Sequence, residues 1–247
     1  VIPRRLILAG VLALSTFTVR GVTTNDAATA LVEGRQLARQ LRELRPTQSL
    51  TNTATLKLRG EKARRADLSL QIITSLAEAN WQVAYWTAVT NSAVVTAFAV
   101  THHGHGSNEY RSVSVDGASG CVALAGEQLW TSFAGSDFTL VDLGQEFFHW
   151  PEQKLVKKEL KKGQSCDVLE SRLAGAPANG YSRVVSWIDR DTGGIVQAEA
   201  YDAKGKLLKE FELKEASKVN GEWRVTEIEM HNVQTGCRTL LVFDYGQ

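Results

Sequence analysis

Three imidazoles within four positions, His102, His103 and His105 in Thr101-His102-His103-Gly104-His105-Gly106, form the chain's densest group of metal-ligating side chains. In an extended segment His103 and His105 share one face and His102 points away, so these two are the candidate ligands. No H-E-x-x-H motif or distant Cys/His pair completes the set, and a glycine-rich polar loop is the favoured reading. Glu227 and Glu229 fall on one side of an expected strand, a spacing suited to acid–base work but better explained by a solvated face. Asp189 and Asp191 flank a turn and belong to it. His149 and His231 read as isolated structural residues. Cys121, Cys166 and Cys237 lack C-x-x-C spacing. Cys166 with Cys237 is the disulfide to test first, and buried free thiols fit equally well. Phosphate loops, G-x-G-x-x-G turns and nucleophile elbows are absent from the sequence. The expectation is a protein that is not an enzyme, with no catalytic residues and no cofactor.

The remaining chemistry is apolar. Six tryptophans, Trp81, Trp86, Trp130, Trp150, Trp187 and Trp223, are spread along the chain. Any one of them is best read as core, while together they could line a cavity for an apolar ligand. Phe133, Phe138, Phe147, Phe148 and Trp150 crowd one stretch, which is either a plug in the core or a lid over a cavity. The candidate lipid-binding residues are Leu68, Leu70, Trp81, Val83, Tyr85, Phe133, Phe138, Phe147, Phe148, Trp150, Trp187 and Trp223.

Those side chains need elements to position them. Asp26 to Leu44 carries apolar residues at helical spacing, with Thr24 or Asn25 to cap it and Pro46 just beyond its end. Arg35, Arg39, Arg42 and Arg45 mark its wet side. After Pro46 the period changes to two, at Ala54–Leu58, Leu68–Ile72, Trp81–Tyr85 and Ala93–Phe98. Between 118 and 150 the pattern breaks, and Asp142 to Trp150 reads as a short helix ended by Pro151. Seven more strands are expected, over 154–161, 165–172, 182–189, 195–202, 207–214, 223–232 and 237–244. Turns such as Asp191-Thr192-Gly193-Gly194 separate them, so neighbours run antiparallel and the simplest topology is a meander. Val184, Val185, Trp187 and Ile188 put apolar groups on both faces of one strand, which fits a sheet packed on both sides or one with a greasy interior. A sheet of about ten or eleven strands must curl strongly or close. The fold class is mainly β (α+β), an unclosed antiparallel barrel or strongly curved meander sheet with an N-terminal helix and a short helical lid or plug.

Composition agrees with a folded chain. The 247 residues are 43% hydrophobic and 22% charged, which excludes a disordered, collagenous or coiled-coil protein. A net charge of +1 argues against nucleic acid as a partner. Arg4 and Arg5 precede the apolar run Leu6 to Leu14, the pattern of a secretory signal peptide. Residues 1–25 are read as that signal and 26–247 as one domain. Without Arg4, Arg5 and Arg20 there remain 25 basic and 27 acidic residues, a net −2.

The sequence resembles the LolA-like outer-membrane lipoprotein-sorting proteins, in a poorly characterised branch. The likeness is carried by Asp142-Leu143-Gly144, Phe147 to Pro151, Gly163 to Ser171, Trp187-Ile188-Asp189, Ala200 to Lys206, Gly221-Glu222-Trp223, Glu229-Met230 and Thr235-Gly236. It implies an unclosed β-barrel with an apolar cavity under a helical lid, for which the aromatic insert at 130–150 is the candidate. It further implies a periplasmic carrier that encloses the acyl chains of a lipoprotein or another lipid and delivers them toward the outer membrane. Implied partners are the acylated lipoprotein or lipid, an inner-membrane donor and an outer-membrane acceptor, with transient membrane contact by a monomer. The lid-contacting arginine of well-studied carriers matches no residue here. The alternative is a non-enzymatic cell-envelope interaction protein with a filled core.

Overall fold

The computed structural model describes residues 24–60, 65–87, 97–112, 121–219 and 221–245. The signal-peptide segment through residue 23, residues 93–96 of one expected strand, and the side chains of Thr24 and Asn25 lie outside the described residues. Helix α1 (Thr24–Glu43) comes first, close to its expected bounds. Six strands follow: β1 (Leu50–Arg59), β2 (Arg65–Leu76), β3 (Trp81–Thr87), β4 (Ala97–His102), β5 (Glu109–Ser112) and β6 (Val122–Leu124). The insert then runs through a 3-10 turn (Gly126–Trp130), helix α2 (Leu140–Leu143) and a second 3-10 turn (Glu146–His149). Seven strands complete the sheet: β7 (Glu152–Lys161), β8 (Gln164–Arg172), β9 (Arg183–Asp189), β10 (Ile195–Tyr201), β11 (Leu207–Val219), β12 (Glu222–Asn232) and β13 (Arg238–Asp244).

Among the described residues these thirteen strands form a single sheet in the order β6-β5-β4-β3-β2-β1-β13-β12-β11-β10-β9-β8-β7. Every strand pairs antiparallel with its neighbour. The sheet is unclosed, with β6 and β7 at its edges. The single-meander expectation changes in one respect. Two meanders are joined side by side through β1 and β13, with Leu56 opposite Leu241. The insert therefore connects the two outer edges of the sheet, and the shortest way between them is across the concave face. Two strands more than expected arise from β5 and β6, which are four and three residues long and too short to show a period.

The alternation seen in the sequence sorts side chains by face. On β9, Val184 and Ile188 enter the core beneath the insert, while Val185 and Trp187 join Cys166, Val168 and Val196 in a smaller cluster on the other face. Both faces of this region are packed, which accounts for its double-sided apolarity. The main core has two halves. One lies under α1 and gathers Trp130, Phe147, Phe148 and Trp150. The other lies over β1–β4 and gathers Phe133, Phe138 and Leu140. The three cysteines are free, with Cys166 buried and Cys121 exposed.

Helix α1 covers edge strand β7, burying Gly34, Ala38 and Leu41. A Cβ at Gly34 would lie 2.5 Å from the Lys154 Cα and 2.6 Å from the Leu155 nitrogen. Helix and strand backbones touch there, so only glycine fits. On an exposed helix Gly→Ala stabilises by up to about 1 kcal/mol. At Gly34 the sign should reverse: G34A is expected to cost about 1–3 kcal/mol in urea unfolding, because two backbones must separate.

Candidate functional site

A cavity of about 200 Å³ lies between the insert and the concave face, at the seam of the two core halves. Ile72, Met230, Leu241 and Phe243 form one side of its floor, and Val184, Ala198 and Ala200 the other. Phe138, Leu143 and Phe147 of the insert roof it. The cavity opens past Gln145, Ile195, Phe211 and Ile228 into a groove of about 850 Å³, with Trp223 and Val225 at its rim. On the other side it shares Tyr85, Leu143, Gln145 and Ile195 with a pocket of about 320 Å³ beside α1. Gln145 stands where all three spaces meet, and its backbone is left-handed (φ 52°). A non-glycine residue in that region is uncommon. Here it turns the chain sharply from α2 into the second 3-10 turn.

One carboxylate organises the cavity wall. Asp142 Oδ2 accepts from the Thr139 backbone N–H and hydroxyl, both at 2.7 Å, while Thr139 Oγ1 accepts from the Asp142 N–H at 3.3 Å. This capping box starts α2. Asp142 Oδ1 accepts from the Tyr181 hydroxyl. Lys209 Nζ, on β11, lies 3.3 Å from Asp142 Oδ2 and donates to the Asp137 carbonyl at 2.6 Å. Both charged side chains are nearly buried, at 9% and 13% exposure, so each needs the other. Burial, then the negative charge of Asp142, holds the Tyr181 hydroxyl well above its ordinary pKa, so it remains a donor. The wall is thus charge-balanced internally and presents a mostly apolar surface to the cavity.

Other contacts tie the insert down around its perimeter. Thr239 of β13 donates to Asp137 Oδ2 and accepts from its N–H, both at 2.9 Å. Gln153 donates to the Phe147 and Trp150 carbonyls at 2.9 Å and accepts from Ser171 at 2.7 Å. Glu146 Oε2 accepts from Tyr110 at 2.9 Å and from Asn108 at 3.0 Å. Burial raises the Glu146 pKa, and those two hydrogen bonds pull against it.

The sequence-derived candidates separate into groups. Tyr85, Phe138 and Phe147 line the cavity. Trp81, Val83 and Phe148 line the pocket beside α1, and Trp150 lines a groove on the outer side of the insert. Leu70 and Phe133 are buried in the core, with Leu68 packed against it. Trp223 is 70% exposed at the groove's rim. Trp187 is on the opposite face of the sheet, where its indole N–H donates to Glu159 and Lys161 Nζ stands 4.4 Å from its ring. The insert aromatics Trp130, Phe133, Phe138, Phe147, Phe148 and Trp150 are all buried. Sequence reasoning missed Asp142, Tyr181 and Lys209 as wall residues. Only Thr139-Leu140-Val141-Asp142, a capping-box spacing, hinted at the first.

His102 ends β4, while His103 to Gly106 form a turn rather than a further stretch of strand, the Gly106 N–H donating to the His103 carbonyl at 2.8 Å. His103 Nε2 lies 3.4 Å from Glu109 and His105 Nδ1 3.2 Å from Glu43. His102 stacks on Trp81, with centroids 5.1 Å apart. Among the described residues no three His, Cys, Asp or Glu side chains group to hold a metal ion. Asp189 accepts from the Thr192 hydroxyl at 2.6 Å, inside its turn, and Glu229 pairs with Arg238 at 3.1 Å.

Two measurements follow from this geometry. Lys209→Met should destabilise the protein by about 3 kcal/mol by leaving Asp142 a buried, unpaired charge, and adding Asp142→Asn should recover part of that loss in urea unfolding. Burial lowers the pKa of both His102 and His149 to about 4, with nearby Arg42 adding to the effect on His149. A histidine held neutral by the fold contributes stability above its unfolded pKa of about 6.5, which is lost as pH falls toward the folded value. Relative to His149→Asn, the wild type should therefore lose about 1–2 kcal/mol between pH 6.5 and 4, allowing for screening of the half-buried ring, and nothing between pH 7 and 8.

Comparison with known proteins gives the same architecture. None of the curated proteins matches the chain. Among solved structures, a provisionally named outer membrane lipoprotein-sorting protein domain from Vibrio parahaemolyticus superposes with a TM-score of 0.69 at 22% identity, covering 88% of this chain and 94% of that one. A DUF1329 family protein from Desulfovibrio piger gives 0.68 at 19% identity, covering 87% and 92%. The LolA superfamily protein NE2245 from Nitrosomonas europaea gives 0.56 at 18% identity, covering 88% and 91%. At these identities the likeness establishes the LolA-like fold. A protein-family model described as "uncharacterized protein" matches residues 119–245, just over half of the chain and including most of the insert. The chain belongs to that uncharacterized-protein family and has the LolA-like fold.

Proposed function

We propose that this protein is a non-enzymatic periplasmic carrier, which encloses the acyl chains of a lipoprotein or another lipid and delivers them toward the outer membrane. The observation that carries this reading is the apolar cavity roofed by the insert and opening into a groove of about 850 Å³. Ligand sites of this kind run from about 300 to 1,000 Å³. Each methylene moved from water into such a space gains about 0.8 kcal/mol, so ten of them gain about 8 kcal/mol. That is enough to hold a chain in transit. Entry of a long chain requires the insert to lift, because its aromatic side chains fill most of the concave face in the described conformation. The exported location, the inner-membrane donor and the outer-membrane acceptor belong to the same proposal, and the lipoprotein-sorting name of the Vibrio relative supports them.

A second reading is an envelope interaction protein with a filled core. The burial of six insert aromatics and the perimeter of hydrogen bonds favour it. Native mass spectrometry of protein purified gently from the periplasm, followed by organic extraction, separates the two. The carrier should hold acylated peptide or phospholipid near one per chain, or take up added lipid. A clean apo mass with no uptake would overturn the carrier and favour the filled core.

A further inference from the structure

The arginines on the wet side of α1 have no place in the apolar cavity. Arg35, Arg39 and Arg42 recur at helical spacing and line a groove of about 590 Å³ between α1 and the end of the insert, with His149 on the facing wall. Their neutralisation is uneven. Arg39 lies 3.8 Å from Glu43, which also receives His105 at 3.2 Å. Arg45 is spent on the Ala77 and Glu78 carbonyls. The Arg42 Nε is buried and has no acceptor among the described residues. Glu146, at the start of the second 3-10 turn, is engaged by Tyr110 and Asn108. Arg42 also lines the pocket beside α1, together with His102 and His149, and that pocket shares Tyr85, Leu143, Gln145 and Ile195 with the apolar cavity. A continuous path therefore leads from an apolar space, past Gln145, to a guanidinium whose Nε has no partner among the described residues.

We propose that Arg42, flanked by Arg35 and His149, is a subsite for the anionic head group of the carried amphiphile. The inference rests on the carrier reading and narrows its cargo to lipids or acylated molecules bearing phosphate or carboxylate oxygens. A guanidinium suits this task because its planar fork donates two parallel hydrogen bonds to such a group. Half-burial strengthens those bonds, since water competes less for the anion. The adjoining imidazoles add donors without adding fixed charge: at neutral pH both are unprotonated, and a bound anion would draw a proton onto His149.

The test is isothermal titration of the purified protein with lysophosphatidylglycerol, with a neutral monoacylglycerol of the same chain length, and with inorganic phosphate alone. The wild type should prefer the anionic lipid by roughly tenfold or more, and Arg42→Gln should remove most of that preference. Arg42→Lys, which keeps the charge and loses the fork, should retain part of it and serves as the readout should R42Q fail to fold. Equal affinity for the two lipids in the wild type, or an R42Q variant that keeps the preference, overturns the subsite and leaves the carrier standing. Failure to bind either lipid overturns both. Phosphate alone binding as tightly as the lipid overturns the head-group assignment in favour of a free-anion site.

Discussion

A strongly curved sheet whose two edges never pair leaves a concave apolar face that its own strands cannot cover. Everything else in this protein depends on how that face is closed. The connection from β6 to β7 must travel between opposite edges, and its route over the concave side makes it the roof of the core. A roof of short turns has too few backbone hydrogen bonds of its own to be stable alone. Asp142, Glu146 and Gln153 supply the missing restraint, each bonded to strands from a different part of the sheet. The cavity survives beneath them because the roof is held at its perimeter.

Such an arrangement would meet two demands on the proposed carrier. Apolar burial alone would draw the insert's phenylalanines fully into the sheet and fill the space. Polar anchors set a distance as well as an attraction, since a hydrogen bond has a preferred length and direction. The Asp142–Lys209 pair is also sensitive to its surroundings. Its strength depends on exclusion of water, so any event that wets the wall loosens the roof. On the proposed carrier reading, entry of cargo and release of the insert would be coupled through the same few side chains.

Much of the architecture could be read from the sequence, for identifiable reasons. The seven strands after Pro151 show plain alternation and glycine-marked turns, and six form within about two residues of their expected bounds, while β11 runs five residues past the expected end, to Val219. Helix α1 declared itself by the spacing of Gly34, Ala38 and Leu41, though nothing local told that Gly34 meets backbone rather than solvent. Strands β5 and β6 were hidden because three or four residues carry no period. The β1–β13 pairing was hidden because edge complementarity across the whole chain leaves no local mark. At the site, aromatic crowding located the insert but not which rings face the cavity. Trp187, on the opposite face, differs from Val184 and Ile188 only in strand parity, and parity can be assigned only once one face is known to be the inner one. Asp142, Tyr181 and Lys209 meet from an insert helix, a loop and a strand, so their association exists only in three dimensions.

The seam between β1 and β13 has a consequence for how the molecule comes into being. Thr53 of the first strand pairs with Asp244 of the last, across 191 residues of chain. Until β13 has been made, β1 presents an open row of amide and carbonyl groups, flanked by the alternating apolar residues of β1 and β2. Contacts of such long range form slowly, because a large loop must close before any of their enthalpy is returned. Any stretch of this chain that ends before β13 therefore leaves the β1 margin open, a place where one half-sheet can pair with another.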